Sequence, residues 1–254
     1  MGAFHEGHLS LMRRAKAENE LAVVTLFVNP AQFNERDDFD RYPRGPARDA
    51  RMAEAEGVDI LFMPTPDVMY PQGFDTLVTV RALSERLEGA SRPGHFAGVA
   101  TVVAKLLNIA QADRAYFGEK DWQQLQIVKA LARDLDIPTE VVGLPIVREP
   151  DGLALSSRNV RLTSEQRQAA LVLAAALDRA QVLTDSGVQV AALIAAGMRR
   201  TIEAQPLARL DYAVVAAPDT LQEIDTLEDG AIALVAATFG QVRLIDNRLL
   251  RAPS

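Results

Sequence analysis

Of three histidines in this 254-residue chain, two stand three apart around Gly7, in the opening run Met1-Gly2-Ala3-Phe4-His5-Glu6-Gly7-His8. Residues three apart on a helix share a face, and a helix N-terminus offers unsatisfied N–H groups and the positive end of a dipole. Gly7 removes a side chain that would block close approach, so the run suits a polyphosphate. A zinc protease instead needs His at i and i+4 with a Glu beside the first. The competing reading is a pair of solvent-exposed histidines at a helix cap.

Further polar segments could share that chemistry. Leu155-Ser156-Ser157-Arg158-Asn159 supplies two hydroxyls and a permanent cation, a set that fits a mobile clamp over β and γ phosphates but is also ordinary before a capped helix. Lys120 and Asp121 follow the strand-like run ending Tyr116-Phe117-Gly118, where open α/β sheets bind ligands beyond the carboxyl ends of their strands. Lysine is scarce: only Lys16, Lys105, Lys120 and Lys129 occur among the 27 Lys and Arg residues, which singles out the one at a strand end. Asn29 and Gln32 follow another strand, where amides can hold hydroxyls or the carboxylate of a small acid. Arg92-Pro93-Gly94-His95-Phe96 reads as either a helix entry or a substrate lid. The residues identify no metal ligands.

The elements that must position these groups are legible as alternation. Leu21 to Val28 is continuous, apolar, rich in β-branched residues and stopped by Asn29-Pro30, so it reads as a strand buried on both faces of a parallel sheet. Val58 to Met63 reads the same way. Helices are expected at Leu9 to Asn19, Ala47 to Glu56, Phe96 to Ala110 and Trp122 to Leu135, with further strands at Arg114 to Phe117 and Thr139 to Val142. Such punctuation belongs to a doubly wound α/β sheet. Beyond residue 146 the pattern changes. Thr163-Ser164-Glu165-Gln166 has the T-x-x-Q form of a capping box and opens a long Ala/Leu-rich helix, with another helix at Val188 to Ala204. Strands follow at Asp211 to Ala217, Ala231 to Ala237 and Gln241 to Asp246, with a turn at Gly240-Gln241. The expected organisation is a larger α/β domain over 1–146 and a smaller α+β domain over 147–254.

Composition narrows the classes. The formal charge is −7, hydrophobic residues make up 48% and charged residues 24%, which describes a folded, mildly acidic chain rather than a disordered one. That acidity argues against a nucleic-acid partner. No apolar run reaches the roughly 18 residues of a membrane span, and the N-terminus lacks the pattern of a secretory signal, so a cytoplasmic location is expected. With no Cys, disulfides, thiolate nucleophiles and the common structural zinc sites are excluded.

Taken together, M-G-A-x-H-E-G-H at residues 1–8, F-V-N-P-x-Q-F at 27–33, Arg41-Tyr42-Pro43-Arg44, Leu87-Glu88-Gly89-Ala90 with Arg92 to Phe96, Phe117-Gly118-Glu119-Lys120-Asp121 with Gln123-Gln124, and Asp151 to Asn159 resemble the pantothenate synthetase (pantoate:β-alanine ligase) family along nearly the whole chain. The resemblance implies a member of the HIGH-type nucleotidyl-transferring superfamily, with a Rossmann-like domain, a C-terminal lid and a homodimer. It implies that ATP, with Mg²⁺, activates pantoate as an adenylate, which β-alanine then attacks. By the same resemblance Met1, Gly2, Ala3, Phe4, His5, Glu6, Gly7 and His8 line the ATP site, with His8 as proton donor. Gly118, Glu119, Lys120 and Asp121 contact ribose and phosphate. Val147 meets adenine, and Leu155, Ser156, Ser157 and Arg158 form the phosphate clamp. Gln32 and Gln124 hold pantoate, and Asn29 joins them as a substrate-contact candidate. His5, His8, Lys120 and Arg158 are the expected catalytic set.

The family normally has a further segment, with the first strand of the sheet, ahead of M-G-A. The expectation is therefore that this strand is missing and that the chain as written is unstable or poorly active, the alternative function being an impaired nucleotide-binding relative. A superfamily member that releases a stable dinucleotide is disfavoured by Gln32, Gln124 and the Arg92 to Phe96 cluster.

Overall fold

The computed structural model describes residues 2–34, 39–227 and 230–251. Met1, one of the expected ATP-site residues, lies outside them. The chain divides into two compact units, Met1–Val147 and Arg148–Ser254.

In the first unit, helix α1 (Glu6–Glu18) leads to strand β1 (Val23–Thr25), helix α2 (Pro46–Ala55) and strand β2 (Ile60–Phe62). Strands β1 and β2 pair in parallel, Val24 opposite Leu61. Helix α3 (His95–Ala110), strand β3 (Arg114–Gly118), helix α4 (Trp122–Asp134) and strand β4 (Glu140–Leu144) follow, and β3 and β4 form a second parallel pair. Parallel strands joined by helices are the expected α/β punctuation. The two long buried strands are not found. The Leu21 to Val28 run yields three strand residues and the Val58 to Met63 run another three, with Leu21 63% and Ile60 50% exposed. Apolar composition alone cannot bury a strand on both faces; neighbouring elements must cover it, and a three-residue ladder has few. The core beside this pair comes instead from Phe4, Met12, Val24 and Ala53, one residue or more from each of α1, β1 and α2 and the segment before α1.

The second unit has helices α5 (Ser164–Ala169), α6 (Val172–Asp185) and α7 (Ala191–Glu203), then the antiparallel sheet β5 (Ala208–Ala216), β6 (Ile232–Phe239) and β7 (Val242–Leu249) in that order. Thr163 caps α5 as expected: its hydroxyl accepts from the Gln166 N–H at 3.2 Å, and Gln166 Oε1 accepts from the Thr163 N–H at 3.1 Å. The single long helix expected there is two, broken at Ala170-Leu171. Strands β6 and β7 close through Gly240-Gln241, with Phe239 opposite Val242. Gly240 suits the turn through its φ of +61°, and a Cβ there would displace the Gln166 side chain, whose Nε2 lies 2.3 Å from that position.

Candidate active site

The chemistry of the first unit begins at the entry to α1. His5 is the N-cap residue, in extended conformation, and its N–H donates to His8 Nδ1 at 3.3 Å. The two rings stack with centroids 4.0 Å apart. Gly7 makes that possible, since a Cβ there would come within 3.1 Å of the His5 ring. The space cleared by this glycine is therefore filled by an imidazole. Val147 sits on the same side, 4.0 Å from the position of that absent Cβ.

Both imidazoles are neutral at pH 7. Burial, helped by His5, pushes His8 down to about 3; burial and then the Lys120 ammonium lower His5. Lys120 and Asp121 act electrostatically on both rings, so these four residues are brought together in one unit. Because His8 Nδ1 accepts from a backbone N–H, its proton resides on Nε2, which leaves an uncharged donor. His5 Nδ1 is buried without a hydrogen-bond partner among the described residues.

What aims this segment was not legible from the motif. Asp49, on α2 and fully buried, accepts from the Ala3 N–H at 2.8 Å and the Phe4 N–H at 2.9 Å. Ala3 lies at φ +53°, a left-handed conformation unfavourable to an L-residue, and the carboxylate holds it there. Gly2 backs onto Val28, 3.0 Å from where its Cβ would be. Phe4, expected in the ATP site, turns its side chain into the core and is 1% exposed, so only its backbone can face a ligand. Glu6 pairs with Arg13 on an exposed face.

Strand β3 ends at Gly118, and Glu119–Asp121 form a short 3-10 turn leading into α4. The Lys120 ammonium is 3.5 Å from the Asp121 carboxylate. Gly143 on β4 leaves room for Glu119, whose Oε1 would lie 3.2 Å from a Cβ there. The neighbouring glutamines divide their work. Gln123 is buried and fully engaged: its Nε2 donates to the Leu83 and Arg86 carbonyls at 2.7 and 2.8 Å, and its Oε1 accepts from the Glu88 N–H. It thereby holds the Leu87 to Ala90 motif. Gln124, partly exposed one position on, makes no such bond among the described residues.

Beyond β1, Pro30–Gln32 form a 3-10 turn bearing Gln32. Asn29, the substrate-contact candidate, is held inside the unit. It is 2% exposed, and its amide bonds to Gly98 O, Gln32 Oε1, the Ala31 N–H and the Tyr70 hydroxyl. The Arg92 to Phe96 segment is a helix entry, with Gly94 at φ +83° capping α3. It also grips Gln32. The Arg92 guanidinium can only donate, so its contact to His95 Nε2 at 3.2 Å places the His95 proton on Nδ1, which donates to the Gln32 carbonyl at 2.6 Å. Arg92 donates to the same carbonyl at 3.2 Å. Burial, then Arg92, pushes His95 down to about 4.

In the second unit, Leu155 to Arg158 form a loop, with the Arg158 N–H donating to Ser156 Oγ at 3.3 Å. Its base is anchored firmly. Arg148 makes a two-pronged pair with buried Asp246 at 2.7 and 2.8 Å, and Arg167 bridges Glu149 and Asp151. Asn159 Nδ2 donates to Ala154 O at 3.0 Å. Among the described residues no group of three or more His, Asp or Glu side chains could hold a metal ion, and no helix is long and apolar enough to cross a membrane.

Parallel strands with cationic and amide groups beyond their carboxyl ends, and a histidine-bearing helix N-terminus, define an α/β protein of the class whose ligand sites lie at strand ends. Comparison with known proteins makes the class specific. The family description Pantoate-beta-alanine ligase matches residues 1–249, and the chain belongs to that family. Pantothenate synthetase from Chloroflexus aggregans is 53% identical, over 98% of this chain and 91% of its own length. The crystal structure of pantothenate synthetase from Thermus thermophilus superposes with a TM-score of 0.96 at 48% identity, covering 100% of this chain and 91% of that one. A pantoate-beta-alanine ligase from Francisella tularensis, crystallised with beta-gamma ATP and beta-alanine, gives 0.80 at 36% identity, covering 98% and 87%.

Proposed function

We propose that this protein is an ATP-dependent ligase that joins pantoate to β-alanine in two steps. A carboxylate oxygen of pantoate attacks the α-phosphorus of ATP, the bond to the β-phosphate breaks, and pantoyl adenylate and pyrophosphate form. The β-alanine amine then attacks the acyl carbon, the bond to AMP breaks, the amine loses a proton, and pantothenate and AMP are released. The observation that carries this reading is the uncharged His8 donor beside His5 and Lys120 at a helix N-terminus, in a family of ligases.

The chain's own groups serve the first step. His8 Nε2–H, the α1 backbone N–H groups and Lys120 meet charge growing on phosphate oxygens, with Arg158 and the hydroxyls of Ser156 and Ser157 as the clamp. A neutral His8 is suited to donating a hydrogen bond rather than a full proton, and pyrophosphate needs little acid assistance to leave. Gln32 and Gln124 orient pantoate. The first unit is the nucleotide domain, and the second corresponds to the C-terminal domain that the resemblance implies. Mg²⁺ would come to this donor set as an ion carried on the triphosphate, with Asp121, the partner of Lys120, as the nearest carboxylate that could help hold it; when bound it would neutralise phosphate charge. The reading includes a homodimer in the cytoplasm, testable by sedimentation and fractionation. The alternative of an impaired nucleotide-binding relative gains no support from the fold or the comparisons.

The test supplies ATP, pantoate and β-alanine and follows AMP, with pantoate-dependent exchange of pyrophosphate into ATP as the partial reaction. His8→Ala and Lys120→Ala should each lower both by roughly 10²-fold or more, the usual effect of deleting a transition-state donor. AMP release that does not depend on pantoate would refute the assignment.

A further inference from the structure

Asn29 is buried with all four hydrogen-bonding positions of its amide taken, and two of its partners fix which end is which. The Ala31 N–H can only donate, and it meets Asn29 Oδ1 at 3.2 Å; the Gly98 carbonyl can only accept, and it meets Asn29 Nδ2 at 3.1 Å. The remaining two contacts then have a determined direction. Tyr70 must donate its hydroxyl proton to Oδ1, at 2.7 Å. The second Nδ2 proton must go to an acceptor on Gln32, which makes the atom 3.3 Å away Oε1. The Gln32 amide is therefore oriented with its oxygen turned inward and its NH₂ outward.

From this chain of bonds we propose that Tyr70 is a positioning residue that acts through Asn29 on Gln32, so that Gln32 offers only donors to the small-acid substrate. The group it recognises is then an acceptor, a carboxylate or hydroxyl oxygen. This rests on the reading that Gln32 faces pantoate. The surroundings reinforce the alignment. Gly98 lets α3 press against the turn, since a Cβ there would stand 2.2 Å from Ala31 O, and Arg92 and His95 both hold the Gln32 carbonyl. Tyr70 is itself seated between Phe27 and Phe74, with ring centroids 6.4 and 5.2 Å away, so Tyr70→Phe keeps the ring and removes only the hydroxyl.

The experiment is a double-mutant cycle of Tyr70→Phe and Gln32→Ala in the full chain, reading KM for pantoate, KM for ATP and kcat, with melting temperature as the control for folding. Tyr70→Phe should raise KM for pantoate roughly fivefold, the worth of one neutral hydrogen bond, leave KM for ATP unchanged, and add nothing in the Gln32→Ala background. Asn29→Asp, which keeps the Ala31 and Tyr70 contacts but turns an acceptor toward Gln32 and also toward the Gly98 carbonyl, should raise it about tenfold or more at temperatures where the fold is intact. An equal effect of Tyr70→Phe in both backgrounds, or no effect in the parent, overturns the relay. If Gln32→Ala leaves KM for pantoate unchanged, the placement of Gln32 on pantoate fails, and a surviving Tyr70→Phe effect would then count against the relay as well.

Discussion

The two units bury polarity to different ends. Of the eleven buried polar or charged residues among those described, eight lie in the first unit, from Asn29 to Thr139, and three in the second, so internal hydrogen bonding is concentrated where the histidines are. Asp49, Asn29 and His95 each hold a group on or beside a candidate site residue, while Gln123 holds the Leu87 to Ala90 motif. The second unit instead packs apolar helices on a complete three-stranded sheet, with Ile194, Met198, Val235 and Phe239 all fully buried, and confines its strongest ion pair to the base of one loop. In the first unit buried polar side chains hold the segments around the candidate site, whereas in the second apolar packing of helices on the sheet dominates.

Substitutions can sharpen or break that contrast. The largest stability loss should come from Arg148→Ala, which strands the buried Asp246 carboxylate: about 3–5 kcal/mol by chemical denaturation. If the contrast holds, activity lost this way returns when the protein is assayed well below its new melting temperature. Asp49→Asn should cost less, about 1–3 kcal/mol, by weakening the charged acceptor of the Ala3 and Phe4 N–H groups. Its kcat deficit should persist at temperatures where circular dichroism shows an intact fold. A fully recovered kcat would make Asp49 a stability residue like Arg148 and erase the distinction.

Acid provides a smaller and more selective probe. His8 and His95 have ordinary values of 6.5 but lie at about 3 and about 4 in the fold. Below pH 6.5 the unfolded chain therefore binds more protons than the folded one, and stability falls as pH falls toward those lower values. At pH 5 each imidazole should cost on the order of 1–2 kcal/mol relative to pH 7. Melting temperatures measured across this range should decline, and His95→Gln should flatten the slope. The smallest effect belongs to the exposed Arg114 and Glu140 pair, 2.8 Å apart on neighbouring strands, where Arg114→Ala should change stability by less than about 1 kcal/mol in a denaturation midpoint.

Local chemistry was legible in the amino-acid order alone. The Thr163 capping box, the Gly240-Gln241 hairpin, the existence of α2, α3, α4 and α7, and the pairing of His5 with His8 all follow from short-range patterns, whose partners lie within a few residues or whose period is that of a helix; joining Lys120 to that pair took the resemblance. Strand length was not legible, because Leu21 to Val28 is apolar enough for a buried strand whether or not anything covers it. The roles of Asn29 and Gln123 were not legible either. An asparagine after a strand and a glutamine in a helix have the same composition whether their amides face a ligand or the interior.

The order of residues determined which groups could do chemistry, since residue type and spacing set charge, donor count and helical face. Tertiary structure alone decided which of them are presented and which are spent, because that turns on partners far along the chain: Asp49 for the backbone at Ala3, Gly98 and Tyr70 for the amide of Asn29, Arg92 and His95 for the carbonyl of Gln32. A hydrogen bond has a direction, and a side chain acquires its direction only when folding brings a partner that can solely give or solely accept.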